Sequence, residues 1–584
     1  MHKFAAQKKT KPSYKINKMK RTFYSAITLL IGVALFATSC SSKLTPLKQS
    51  NFSVTPSPLE TKGNDIPVTV SGTFPEKWFK KNAIVTITPV LRYGGNNEVK
   101  GLPYSYQGEN IAGNRTVISN KNGGNFTMNF KLPFTEEMLA SELYMTFDAK
   151  VKKKNAKLPD VKVADGVLAT STIASVNNTD PSVADDGFQR IIKEAKNANI
   201  HFLIQRADLR PSQVNNSDMR AWKDRVAKAF NDPKQNLNIE ISAYASPDGG
   251  LSLNERLAEQ REKNTSVYLE KELKSKNIDT EINARYTAED WEGFSELIEQ
   301  SDLPDKDLIL RVLSMYPDAE TREREIKNIS LVYGEIAETI LPQLRRSRIT
   351  ANIEIIGKSD AEIMDAWRTK PADLTVEELL YASTLTTDEK VQENIYQYAT
   401  VHFPQDYRGW NNIGTMFYRN GNFEKARQSF MRAAQVAPNA PEANMNQALL
   451  AIKDGNNDKA KELLGKSSGA AGLEGAMGLL YLMEGDYNKA VNAYGDSKTN
   501  NAALSQILTN DYAKATETLK SIQNPDATTA YLQAIVGART NDFNSVLSSL
   551  RSAISQDGNL AKRALYDLEF YKYRTNNDFI NLIR

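Results

Sequence analysis

Asp248, Asn254 and Arg261 combine residue types and a spacing that could bind a charged ligand. A carboxylate and a guanidinium at one mouth can grip a zwitterion, the acid taking an ammonium and the arginine a carboxylate through paired N–H donors. The amide can hold a loop or add a hydrogen bond. Asn254 and Arg261 are seven residues apart, so on a helix they share a face two turns apart. The same residues also fit a solvated helix with surface ion pairs, the usual fate of Asp and Arg side chains.

The elements that must position them can be read nearby. Residues 237–244 alternate apolar and polar side chains, as a half-buried strand does. Ser246-Pro247-Asp248-Gly249-Gly250 breaks that strand with turn residues. From Leu251 onward a charged segment without Pro or Gly predicts a helix of about five turns.

Residues 241–273 resemble the signature of the OmpA-like peptidoglycan-binding domain, through Tyr244, Asp248-Gly249, Asn254, Leu257, Arg261 and Tyr268-Leu269. The resemblance implies a central α+β domain at 188–358, with strands at 199–204, 237–244, 278–286 and 348–356. It also implies a ligand, the diaminopimelate of the peptidoglycan stem peptide. Asp248 would take its ammonium and Arg261 its carboxylate, with Asn254 in support. Counting back from Asn254, the family's acid falls on Ser246; Ala243 stands where the family has Gly, and Glu262 where it has Ala. A helical insertion at 287–341 lengthens the domain, and Trp291 within it either overhangs the site or packs locally. Arg345-Arg346 precede the last strand, where the family also places arginines.

Around this centre the chain reads as multidomain. Residues 51–175 alternate over short segments between Gly/Asn turn clusters, which predicts an N-terminal β-sandwich of immunoglobulin type. Its role is that of a spacer or a protein-interaction module. Residues 176–187 (VNNTDPSVADDG) read as a linker. At 372–584 the period changes. Trp410, Ile413, Gly414, Phe417, Ala426, Phe430, Ala433 and Pro438 fit the tetratricopeptide pattern, whose period is about 34 residues. Weaker copies follow at Ala448/Ala460, Gly478/Ala490, Ala503/Ala515 and Ala534/Ala553. A helix pair at 376–403 precedes them, and residues 559–584 read as a capping helix. Such all-α solenoids use the concave face for partners.

Charge and cysteine use set the remaining expectations. The formal charge of +4 comes from a segment before Cys40 that holds eight Lys/Arg and no acid; the rest carries 66 basic against 70 acidic residues. That balance is no nucleic-acid footprint. Residues 23–38 form an apolar run behind Lys20-Arg21, the layout of a secretory signal. Residues 35–40 (LFATSC) resemble a bacterial lipoprotein cleavage box of the Bacteroides group, so residues 1–40 are expected to be a signal peptide with Cys40 as the lipidated residue. Residues 41–50 would be a tether. No acidic run follows Cys40, which points to an outer-membrane anchor facing the periplasm.

Three histidines, His2, His201 and His402, and one cysteine leave no usual zinc-ligand set. No phosphate loop occurs, and the Gly-x-Ser-x-Gly run Gly465-Lys466-Ser467-Ser468-Gly469 falls among the helical repeats and follows no predicted strand, so it makes no nucleophile elbow. A non-enzymatic protein without a cofactor is expected. It would tie the outer membrane to peptidoglycan and offer its repeats to a protein partner. The alternative is an assembly or secretion-machine scaffold with little or no wall binding.

Overall fold

A computed structural model describes residues 44–303, 305–328 and 330–584. The signal segment and Cys40 lie outside the described residues. The described chain divides into two compact units, residues 44–60 with 66–167, and residues 61–65 with 168–584.

The first unit is sheet-rich. Phe52–Thr55, Asp65–Phe74 and Gly124–Pro133 form a three-stranded sheet, and a seven-stranded sheet is centred on Ala83–Tyr93 and Ser141–Val151. Alternate residues of both sheets, among them Val70, Phe74, Val85, Ile87, Met128 and Met145, share one core. Leu44 and Leu47 are buried in the same core, and Trp78 Nε1 donates to the Thr45 carbonyl at 2.7 Å. Part of the stretch read as a tether is therefore packed.

In the second unit a four-stranded sheet comes first. Its strands are β1 (Ile191–His201), β2 (Gln235–Tyr244), β3 (Ile282–Thr287) and β4 (Arg346–Ile356), in the order β1-β4-β2-β3. β4 runs antiparallel to β1 and to β2, while β2 and β3 are parallel. A parallel neighbour needs a crossover, and helix α2 (Leu251–Ser275) supplies it. α1 (Ser217–Phe230) joins α2 over the sheet, with Trp222, Val226, Leu269, Ile239, Ile241 and Ile349 in one core. Asn216 caps α1 by accepting from the Met219 amide at 2.8 Å.

β1 starts eight residues before the expected strand and ends at His201 rather than Ile204. Its first seven residues are almost all exposed, so pairing with β4, not a buried face, makes them a strand. The insertion folds as helices Trp291–Gln300, Lys306–Met315, Ala319–Asn328, Ser330–Thr339 and Leu341–Leu344 around a small core of Phe294, Ile298, Ile309, Ile326 and Ile336.

Helix pairs then stack from Val376 onward. Their first helices begin at Val376, Tyr407, Pro441, Leu473, Asn500 and Ala527. Gly421, Gly455, Gly485, Asn510 and Asn541 each take a positive φ of 63–75° at the turn between the two helices of a pair. The next residue is Asn or Asp, and in four of the five turns its side chain caps the second helix. The end expected as one helix is two, Asn559–Tyr566 and Asn577–Ile583, separated by a 3₁₀ segment that Asp567 caps. Residues 168–187, the expected linker among them, lie along the repeat helices and are hydrogen-bonded to them.

Candidate functional site

The chain leaves the C-terminal end of β2 at Tyr244, turns through 245–250 and enters α2. A small pocket of about 40 Å³ lies in that turn. Asp248, Asn254 and Arg261 all line it, together with Ser246, Ile204 and Arg345. The residues singled out in the sequence are thus brought to one place.

Arg261 is 1% exposed. Its Nε donates to the Arg206 carbonyl at 3.0 Å, Nη1 to Tyr244 at 2.8 Å and Nη2 to Leu203 at 3.4 Å. The guanidinium stacks over Phe202, 5.1 Å from the ring centre. Burial, and next the Arg345 charge, pull its pKa down to about 10, against the opposing pull of Asp248. It stays charged at neutral pH. Of five N–H donors, three are committed to backbone carbonyls.

Asp248 accepts from Ser246 Oγ at 2.5 Å and from Arg345 Nη2 at 2.8 Å. Arg345 Nε also donates to Ser246 Oγ at 3.1 Å. Ser246, at the position where the resemblance puts the acid, therefore links Asp248 to the arginine. Asn254 Nδ2 donates to the Gly249 carbonyl at 2.7 Å and to Glu289 Oε1 at 3.2 Å, which pins the loop. Glu262 accepts from Ser266 Oγ one turn along α2 and does not line the pocket.

Arg345 is the charged pocket residue that the sequence reading did not place in the site. The arginine pair before β4 was its only signal. Trp291 packs within the insertion, edge-on to Phe294, with Arg322 over its ring, while its Nε1 donates to Glu289. Its link to the pocket runs through Glu289. The Asp248 charge also reaches Lys327 and Tyr333, so the insertion helices bring a cation and a phenol near the pocket.

His201 ends β1 half-buried. Burial first, then the charges of Arg346 and Arg210, hold its pKa below the usual 6.5. The folded pKa is the lower one, so the unfolded chain binds more protons and stability declines as pH falls through about 6.5. We expect the unfolding midpoint of the central domain to drop between about pH 7.5 and about pH 5.5. His201→Gln should flatten that part of the profile, and an unchanged slope would count against the assignment.

Among the described residues, no group of three or more His, Cys, Asp and Glu side chains could hold a metal ion, and no helix is long and apolar enough to cross a membrane. The tetratricopeptide repeat family matches residues 393–444 and 411–471. Similar solved structures include a tetratricopeptide repeat protein from Parabacteroides merdae, 14% identical over 42% of this chain and 98% of that one, TM-score 0.28. The anaphase-promoting complex assembly Cut9–Hcn1 is 12% identical over 57% and 69%, TM-score 0.30. Yeast Tom70 is 12% identical over 56% and 76%, TM-score 0.25. No curated protein matches the chain. The C-terminal region carries tetratricopeptide repeats, a protein–protein interaction module.

Proposed function

We propose that this protein is an envelope scaffold whose central domain is OmpA-like and holds peptidoglycan through the zwitterionic end of diaminopimelate. The observation that carries the reading is the convergence of Asp248, Arg261 and Arg345 on one pocket at the end of β2. The sheet order and the β2–α2–β3 crossover support the OmpA-like assignment. Asp248 takes the ammonium, and the two guanidiniums take the carboxylate. Two cations against one acid favour a ligand that brings a carboxylate. The proposed anchor is lipidation at Cys40 in the outer membrane, read from sequence, and the repeats take a protein partner. The protein acts by binding, not catalysis. Modest affinity per site suffices where membrane and wall are both polyvalent.

The test is co-sedimentation of the chain with purified sacculi, with and without free diaminopimelate. Asp248→Asn keeps the shape and removes the charge that would meet the ammonium. A lost charge-assisted contact costs about 1.5–3 kcal/mol, or roughly a ten- to hundredfold drop in affinity. We expect pelleting that the free amino acid competes away and that Asp248→Asn weakens to that degree.

The second reading, a scaffold without wall binding, is favoured by one specific observation. The pocket is about 40 Å³, and Asp248 is already paired with Arg345. A folded chain that stays in the supernatant would select it.

A further inference from the structure

The first helices of the repeats hold an extended segment, and the segment is the chain's own. Asn412, Asn446 and Asn501 sit in the first helices of three repeats, each two residues before the small residue that lets the pair cross (Gly414, Ala448, Ala503). All three make the same contact. Asn412 accepts from the Ala184 amide at 2.8 Å and donates to the Ala184 carbonyl at 3.0 Å. Asn446 does so with Ser182 at 2.7 and 2.8 Å, and Asn501 with Ser175 at 3.1 and 2.8 Å.

A side-chain amide can meet both the N–H and the C=O of one residue only where the backbone is extended and presents both on one side. The three asparagines therefore form a ladder that reads main chain. Arg408 and Tyr418 add donors to the Asp186 and Val176 carbonyls. What the ladder asks of side chains is that they be small. Ser182 is 1% and Ala184 2% exposed, and the Ser182 hydroxyl, though buried, has no hydrogen-bond partner. The groove is not full, however. A cavity of about 350 Å³ remains beside Val183–Asp186, between that segment and helices Val376–Thr384 and Glu389–His402.

We propose that residues 168–187 are a cis-acting strap in an extended-peptide site, and that a protein partner of the repeats enters this groove by exchanging with the strap. The partner segment is extended, carries small residues such as Ser, Ala or Thr at the ladder positions, and gains its first hold in the unfilled cavity. This deepens the partner half of the proposed function. It does not depend on wall binding, so sacculus pelleting and the experiment below can fail separately.

Two measurements on the full chain test it. In hydrogen–deuterium exchange the amides of Ser175, Ser182 and Ala184 should be protected, and Asn446→Ala should speed exchange at 182–184. Rapid exchange there in the unmodified chain, or no response to Asn446→Ala, would overturn the proposal whatever the other variants do. The second measurement uses Ser182→Pro with Ala184→Pro, which removes two of the amides the ladder accepts from. A fluorescent peptide of residues 168–187 should bind this variant at least about tenfold more tightly than the unmodified chain, a difference of about 1.4 kcal/mol. Adding Asn412→Leu and Asn446→Leu should abolish the gain. A proline variant with intact helical circular dichroism that does not take the peptide would also overturn the proposal.

Discussion

Arg261→Ala should destabilise the central domain by about 3–5 kcal/mol, before any ligand is considered. The carbonyls of Arg206 and Tyr244 lose the donor that the buried guanidinium supplies, while that of Leu203 keeps the Arg206 amide. Each buried acceptor left unpaired costs about 1–3 kcal/mol, and partial relaxation trims the sum. Phe202 loses the cation stacked on its ring. Urea unfolding read through Trp222 and Trp291 would measure this. A midpoint equal to that of the unmodified chain would refute the structural role of Arg261. The consequence for function is direct. Loss of wall binding in Arg261→Ala reports on folding as much as on recognition. Asp248→Asn and Arg345→Lys, which leave those carbonyls satisfied, are the informative changes.

The same side chain marks how far the sequence could be read. Asp248, Asn254 and Arg261 lie within one strand–turn–helix, so their convergence follows from local geometry and was visible in the spacing. Arg345 joins them from 97 residues away along the chain, and nothing local to Asp248 indicates that pairing. The repeats were legible for a different reason. Ala426, Phe430 and Ala433 are all fully buried, because the same small and large positions recur wherever two helices cross. That regularity weakens as the first helices come closer in sequence, starting at 407 and 441 but then at 473, 500 and 527.

The strap shows the opposite case. Asn, Asp, Pro and Ser between 176 and 187 have the composition of a solvated linker. Their burial comes from Asn412, Asn446 and Asn501, which lie 228, 264 and 326 residues away. Long-range partners decide the state of such a segment, and composition does not report them. The first half of β1 was missed in the same way, since it has no buried face and owes its structure to pairing with β4.

Gly414→Leu should cost the repeat region more than about 3 kcal/mol, while Gly421→Asn, seven residues along, should change it by less than about 1 kcal/mol. A Cβ at Gly414 would lie 2.5 and 2.7 Å from two ring carbons of Phe430 and 3.1 Å from Ser429 Cβ. Phe430 is fully buried, so the larger side chain must part the helices Tyr407–Arg419 and Phe423–Val436. Gly421 faces open space, and its demand is a φ of +70°. Asn510 and Asn541 meet that demand at the equivalent turns with φ of +65° and +63°, so the chain itself carries the substitution. Far-ultraviolet circular dichroism against urea would compare the two variants, and equal midpoints would sink the argument. Because Asn412 rides on the displaced helix, Gly414→Leu should also loosen the strap at Ala184, an effect that Gly421→Asn should lack. Packing between the repeat helices and occupancy of their groove are thus set by residues two positions apart on one helix.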